Sequence, residues 1–349
     1  MQTNKLGDIA IEAKESNKGD KTGCKIVGLE HLTPSDVTLS SWSEDTNNSF
    51  TKKFAKGDVL FGRRRAYLKK AALAPFDGIC SGDITVIRAK EGKVDSRLLP
   101  FIIQNDFLFE FAVGKSAGSL SPRVKWEHLR NFEIYLPDTD KQRELADILW
   151  SINETKQAYL ELIKQTDELV KSQFIEMFGG CENKQSINNI CIHFGDGDWI
   201  ESKDQSENGI RLIQTGNVGD GVFKDKEEKA RYISEETFTR LNCTEVLPGD
   251  ILISRLPDPI GRSCIVPEVQ KAITAVDCTI VRLSDKVLPE FFVGFSKTDM
   301  YSEQIATHTT GTTRKRISRA NLGKILIPVP ELSMQEEFVF IARQSDKSK

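Results

Sequence analysis

Lys56-Gly57-Asp58-Val59-Leu60-Phe61-Gly62-Arg63 and Pro248-Gly249-Asp250-Ile251-Leu252-Ile253-Ser254-Arg255 are two versions of one segment, set 192 residues apart. In each, a Gly-Asp turn leads into an apolar strand that ends in arginine. The match extends outward. Asp83-Ile84-Thr85-Val86-Ile87-Arg88 corresponds to Asp277-Cys278-Thr279-Ile280-Val281-Arg282 at an offset of 194. Ser116-Ala117-Gly118-Ser119 corresponds to Thr309-Thr310-Gly311-Thr312 at 193, as do Leu129, Ile134, Pro137, Gln142 and Glu144 to Leu322, Ile327, Pro330, Gln335 and Glu337. Solenoid repeats have periods of roughly 20–50 residues, so this long period implies a duplicated domain plus its linker.

The copies diverge toward their starts. Leu6 and Ile9 fall on Ile187 and Ile190 only at an offset of 181, and residues 10–50 and 190–245 align only with gaps. The copies agree where a scaffold needs it and differ elsewhere.

The chain has 349 residues, 39% hydrophobic and 28% charged, with a net charge of −3. This suits soluble globular domains and not a disordered or fibrous chain. No apolar run approaches the roughly 20 residues of a membrane span, and the start, Met1-Gln-Thr-Asn-Lys-Leu-Gly-Asp, lacks the apolar stretch of a signal peptide. A cytoplasmic protein with no membrane contact is expected. Cys24, Cys80, Cys181, Cys191, Cys243, Cys264 and Cys278 are odd in number, scattered and never at CxxC spacing. That argues against a disulfide framework and a zinc ribbon, and for reduced thiols. The slight acidity speaks against a globally basic nucleic-acid binder but leaves room for local basic clusters.

Within each copy, β-branched residues over 79–88 and 273–282 predict strands. Apolar stretches over 98–111 and 289–305 predict helices. A small-residue loop, 114–121, is mirrored by 307–313. A short helix around Trp126-Glu127-His128-Leu129 and a last strand over 132–136 follow, and the second copy closes with Ile325-Leu326-Ile327-Pro328-Val329-Pro330. Each copy reads as a mixed α/β domain, mostly β.

After Pro137 the period changes. Leu145, Ile148, Ile152, Thr155, Tyr159, Leu162, Thr166 and Leu169 recur at 3–4 spacing and predict one amphipathic helix over 140–178, ending at Gly179-Gly180. At 1.5 Å per residue it is roughly 57 Å long. Near-heptad spacing favours a coiled-coil partner, with Leu145, Ile148, Ile152, Tyr159, Leu162 and Leu169 as the interface. The second copy restarts this helix at Ser333-Met334-Gln335-Glu336, which reads as a capping box. Phe338 and Ile341 stand for Leu145 and Ile148, and the helix continues for about three turns as a truncated second copy. The expected organisation is a domain over 1–137, a long helix over 138–180, a second domain over 181–331 and a truncated helix over 332–349.

Catalytic motifs are missing. There is no GxxxxGK[ST], GxGxxG or HExxH, and no Asn/Asp-Pro-Pro-aromatic motif of methyl transfer. His31, His128, His193 and His308 have no His or Cys at ligand spacing, so no metal site is expected. Glu-x-Lys triplets such as those beginning at Glu12, Glu91 and Glu201 could belong to a metal-dependent nuclease, but a chain this rich in Glu and Lys yields such triplets by chance. The chain reads as one that binds and positions.

Charge concentrates at two places per copy. Arg63, Arg64, Arg65, Lys69 and Lys70 lie within eight residues that also hold Tyr67, and Arg255 and Arg262 occupy the same stretch of the second copy. The other cluster is Thr310, Thr312, Thr313, Arg314, Lys315 and Arg316, mirrored by Ser119, Arg123 and Lys125. Small hydroxyl residues beside arginine suit phosphate contacts from backbone and hydroxyl groups, with arginine on base edges. One such cluster alone reads as a solvated loop. Its recurrence at both positions in both copies favours DNA.

The combination resembles the specificity (S) subunit of type I restriction–modification systems over nearly the whole chain. The residues that carry the resemblance are Lys56 to Leu60 and Pro248 to Leu252, Leu136-Pro137 with Gln142-Arg143-Glu144, Val329-Pro330 with Gln335-Glu336-Glu337, and the helix end Gln173-Phe174-Ile175-Glu176-Met177-Phe178-Gly179. The resemblance implies two target recognition domains, each reading half of a bipartite double-stranded DNA site, with two long helices pairing antiparallel as a spacer. It implies methyltransferase (M) subunits docked on the chain and restriction–translocase (R) subunits joined through them. The chain has no cofactor of its own in that picture; S-adenosylmethionine, ATP and Mg belong to the partners. The short second helix departs from the family pattern and points to a homodimer through the long helix, or to a methyltransferase helix in its place. The competing readings are a stand-alone or fragmentary restriction or methylation enzyme, and an interaction module that works through its helix.

Overall fold

The computed structural model describes residues 2–312 and 314–347. The chain divides into two units, Met1–Tyr159 and Leu160–Lys349. Each unit contains the same four-stranded antiparallel sheet. Its strand order is Ala10–Glu12, Ile84–Ala89, Val59–Gly62, Ala71–Leu73 in the first unit and Cys191–Asp196, Cys278–Leu283, Ile251–Ser254, Ser263–Ile265 in the second. A two-stranded ribbon ties the start of each unit to its last strand: Gln2–Lys5 pairs with Glu133–Leu136, and Lys184–Ser186 with Leu326–Pro328. After the first strand of each ribbon come Leu6 and Ile9, or Ile187 and Ile190, all four buried. The shifted offset of the starts is therefore a true structural correspondence.

The divergent segments build a second sheet on one plan with different emphasis. In both units a parallel pair forms, Lys25–Val27 with Gly78–Cys80 and Ile210–Ile213 with Ala272–Thr274. The third strand joins opposite edges. Lys52–Phe54 pairs with Gly78–Cys80, whereas Arg231–Ile233 pairs with Ile210–Ile213. The edge left over in each unit holds a single bridge, Ile26 to Ser43 or Val246 to Ala272.

The Gly-Asp repeat is explained by one ion pair per unit. Gly57 and Gly249 adopt φ of +91° and +85°, which L side chains rarely tolerate. The next residue, Asp58 or Asp250, is buried, and its Oδ2 accepts the backbone N–H of Ala55 or Leu247 at 2.8 Å. Its two oxygens also take a bidentate pair from Arg88, both at 2.7 Å, or from Arg282, both at 2.8 Å. A carboxylate removed from water needs such charge-assisted partners. The arginine sits on the neighbouring strand, so the pair staples the two central strands of the sheet together.

Two expected elements are split. The strands expected over 79–88 and 273–282 are each two, broken at Ser81-Gly82-Asp83 and Ala275-Val276-Asp277. There Ile84 N–H and Cys278 N–H close turns on the Ser81 and Ala275 carbonyls. One half serves the second sheet, the other the four-stranded sheet. The helix expected over 98–111 is Leu99–Ile103 and Asp106–Gly114, with Asn105 capping the second. Its counterpart is Pro289–Ser296 and Asp299–His308. Apolar spacing at 3–4 residues runs through the helix break, from Ile103 to Phe107, whereas the strand break at Ser81-Gly82-Asp83 carried a Gly-Asp turn signal that the β-branched residues around it outweighed.

The long helix runs from Thr139 to Phe178, 40 residues. Its start lies on the first unit, where Ala146 is buried and Trp150 Nε1 donates to the Arg97 carbonyl at 2.9 Å. Its end belongs to the second unit, where Phe174 and Phe178 pack with Phe291 and Phe338, ring centroids 5.0–6.1 Å apart. The second helix spans Leu332–Lys347. The capping box expected at Ser333 is corrected: Ser333 lies inside the first turn, not before it. Glutamine does the anchoring instead. Gln335, buried, accepts from Leu288 N–H and donates to the Lys286 and Pro330 carbonyls. Gln142 does the same with Asp95 N–H and the Pro137 carbonyl. The repeated Gln of each helix start thus ties the helix to its own unit.

Removing one Asp–Arg staple tests this account. Asp58→Ala strands the Arg88 guanidinium and frees the Ala55 N–H, and is expected to destabilise the first unit by about 2–4 kcal/mol, read from urea unfolding. A loss below about 1 kcal/mol would show that the repeat serves something other than stability.

Candidate nucleic-acid interface

The two basic segments of each copy, some fifty residues apart in sequence, lie side by side. In the first unit the backbone N–H of Val124 donates to the Arg63 carbonyl at 3.0 Å and that of Arg65 to the Pro122 carbonyl at 2.8 Å. The loop from Ala117 to Arg123 is closed by a reciprocal pair of backbone hydrogen bonds, 3.0 and 2.9 Å. In the second unit Ile317 N–H reaches the Arg255 carbonyl at 3.4 Å, and Thr309–Thr310 pairs with Arg316–Ile317 as a short ribbon. Both assemblies stand at the end of the strand that begins with the Gly-Asp turn.

The side chains sort into tied and open. Arg64 donates to Ser121 Oγ at 3.0 Å and reaches Asp83 Oδ2 at 3.5 Å. Arg123 binds Asp83 through Nε at 2.7 Å and Nη2 at 3.3 Å. These arginines hold the Asp83 carboxyl below the usual carboxylate range, Arg123 most of all. Lys69 pairs with Asp106 at 2.5 Å and Lys70 donates to the Leu29 carbonyl at 2.6 Å. Arg262 donates to the Pro259 carbonyl and to Ser254 Oγ. Arg63 is half-buried, with Nε unpartnered.

Arg255 departs from its expected role. It is only 5% exposed, donates to the Val276 carbonyl at 2.6 Å and lies 3.4 Å from Asp196. It is buried beneath the loop, whose Ile317 N–H it holds through its carbonyl. Arg65, Ser119, Lys125, Thr310, Thr312, Arg314, Lys315 and Arg316 are exposed. Thr313 lies outside the described residues.

Sequence reasoning missed the acids at the base of these loops. Asp83 was visible in the repeat but fell inside the strand expected over 79–88. Asp196 lies in the divergent part of the second copy and gave no signal. Two exposed apolar residues also went unread: Leu120 at the tip of the first loop, 90% exposed, and Trp199, 71% exposed.

The stripe on the long helix is open. Leu145, Ile148, Ile152, Tyr159, Leu162 and Leu169 are 42–63% exposed. Among the described residues no His, Cys, Asp or Glu are grouped as a metal ion requires, and no helix is long and apolar enough to cross a membrane. Burial pushes the thiols of Cys80, Cys191 and Cys264 up to about 12 and those of Cys243 and Cys278 up to about 11, which suits packing and not nucleophilic chemistry.

Known proteins agree with this architecture. Residues 1–166 match the family described as the type I restriction modification DNA specificity domain. A 157-residue stretch is 26% identical to the type I restriction enzyme EcoDI specificity subunit of Escherichia coli; it covers 42% of this chain and about a third, 32%, of that subunit's length. The fold is similar to the S subunit of a type I restriction–modification system from M. genitalium, with a TM-score of 0.55, 13% identity and coverage of 99% of this chain and 89% of that one. It is also similar to a chain solved in work on the complex assembly and conformational transition of the type I R-M system, with a TM-score of 0.52, 21% identity and coverage of 99% and 90%. Residues 1–166, just under half of the chain, are thus similar to the type I restriction modification DNA specificity domain, and the fold is similar to those of the two solved chains.

Proposed function

We propose that this chain is the non-catalytic DNA-recognition subunit of an adenine methyltransferase and restriction complex. Each unit reads one half of a bipartite double-stranded target. The helices set the distance between the halves and receive the methyltransferase subunits, through which restriction–translocase subunits join. S-adenosylmethionine, ATP and Mg belong to those partners. The observation that carries this reading is the duplicated site: in each unit two cationic, hydroxyl-bearing segments meet at the end of the same stapled strand. Two such sites on one chain suit two half-sites on one duplex.

The exposed stripe of the long helix supports a helical partner. Covering one Leu-sized side chain is worth about 1.5–3 kcal/mol, so six together favour association strongly. The partner is the long helix of a second copy or a helix of the methyltransferase.

The purified chain alone is expected neither to methylate nor to cut DNA, with methylation appearing once a methyltransferase partner and S-adenosylmethionine are added. Methyl incorporation by the chain alone would overturn the reading. Exchanging residues 186–330 for the equivalent segment of another specificity subunit should alter one half of the methylated motif, read by methylome sequencing, and leave the other intact. Loss or change of both halves together contradicts the modular assignment.

The arginines should separate by role. Arg314→Ala and Arg316→Ala are expected to weaken duplex binding, by about 1–3 kcal/mol where a base edge is read, with the melting temperature unchanged. Arg255→Ala should instead lower stability, because its buried partners lose their donor. Binding loss in Arg255→Ala at full stability would show that this arginine faces DNA. On the isolated chain, light scattering at tens of micromolar should detect self-association, because the exposed stripe has the spacing of a coiled-coil face. A clean monomer whose 140–178 segment resists hydrogen exchange would show that the stripe needs no second copy.

A further inference from the structure

Asp83 stands where a polyanion would be least favoured by a negative charge. It lies on the turn between Gly78–Cys80 and Ile84–Ala89, with its backbone N–H on Ser81 Oγ at 3.2 Å. Its side chain is 21% exposed and joins three segments distant in sequence: the turn itself, Arg64 after the stapled strand, and Arg123 at the end of the loop. Arg64 and Arg123 are bridged to each other through the backbone as well. The second unit reaches a similar arrangement by another route. Asp277, at the position of Asp83, contributes its backbone oxygen to Arg255 N–H. The carboxylate beneath that loop is Asp196, from a different strand, 3.4 Å from Arg255 and 3.9 Å from Arg319. Two units with different acids both place one carboxylate between two arginines under the loop.

A single structural ion pair would not need to recur from unrelated positions. An arginine free to swing contacts phosphate of any sequence, whereas one whose edge is already bound offers its remaining N–H groups in a fixed direction. Arg123 uses Nε and Nη2 on Asp83, which leaves Nη1 for an outside acceptor. Fixing the fork beforehand also removes ordering cost at the moment of binding.

We propose that Asp83 is a positioning residue for DNA discrimination, holding Arg64 and Arg123 in one geometry so that the first unit reads its half-site by fit and not by charge. The proposal rests on the DNA-recognition reading above. Two full-length variants separate position from charge. Asp83→Asn removes the charge and keeps the shape; Asp83→Glu keeps the charge and moves it by one methylene. Glu91→Gln, in an exposed turn, controls for net charge. Each is measured for binding to a random-sequence duplex across a salt series, and for the motif it enriches from a random duplex pool, with folding followed by circular dichroism. We expect Asp83→Asn to bind random duplex more tightly and to lose about tenfold in discrimination at one half of the motif, the size of one bidentate base contact. Asp83→Glu should keep the wild-type salt slope and random-duplex affinity yet also lose discrimination at that half. Asp83→Glu enriching the wild-type motif at full sharpness would overturn the proposal, since charge alone would then suffice, even if Asp83→Asn fails to fold. A wild-type chain that binds duplex and enriches a motif, but whose Asp83→Asn form keeps both halves sharp, overturns it too. A wild-type chain that binds no duplex at all would defeat the DNA reading itself, and the proposal with it.

Discussion

A carboxylate almost sealed from water, Asp58 in one unit and Asp250 in the other, governs each half of this molecule. The buried charge must be paired, and among the described residues it is paired by the arginine of the adjacent strand, Arg88 or Arg282. That pairing locks the register of the two central strands, Val59 against Ile87 and Ile251 against Val281. With the register set, the far ends of these strands meet the turn bearing Asp83 or Asp277. The basic segment after the strand then lies against the loop that precedes the last helix and strand. The ion pair at one end of the strand thus stands opposite the two basic segments that meet at the other.

The long helix shows how one element serves two units. Its first turns are held by a buried glutamine and by Trp150, its last by Phe174 and Phe178 in an aromatic cluster. Between these anchorages the apolar stripe touches little of the chain's own surface, which leaves it open to another helix. In the second unit the start of the short helix brings Phe338 over Gly294, where a Cβ would come within 2.4 Å of the ring. The equivalent position in the first unit holds Phe101, stacked edge-on with Trp150, and Leu145 is correspondingly half exposed. The duplicated units therefore repack the same helix junction with bulk exchanged between its two sides.

Arginine takes four roles here under one letter. Arg88 and Arg282 are structural partners of buried acids. Arg255 props a loop from beneath. Arg314 and Arg316 stand open to solvent, and Arg64 and Arg123 are oriented by a carboxylate. Counting positive charge along the chain cannot separate these, because the acids that decide the roles arrive from other strands.

The duplication, the long helix, the Gly-Asp turns and the positions of the basic segments were all legible in the amino-acid order, because each rests on local rules: backbone conformations open only to glycine, apolar spacing on one helix face, and a repeat that carries its own register. The family pattern was legible for the same reason. The breaks at 81–83 and 104–105 were not, since β-branched and apolar residues satisfy a core on either side of a turn, and at 104–105 the helical spacing passes through. Nor were the burial of Arg255, the true anchor of the second helix at Gln335, or the meeting of Asp83 with Arg64 and Arg123. Those depend on contacts between residues tens of positions apart, where pairing energy is decided by which partners the folded sheet brings within hydrogen-bond distance and by how much water it excludes.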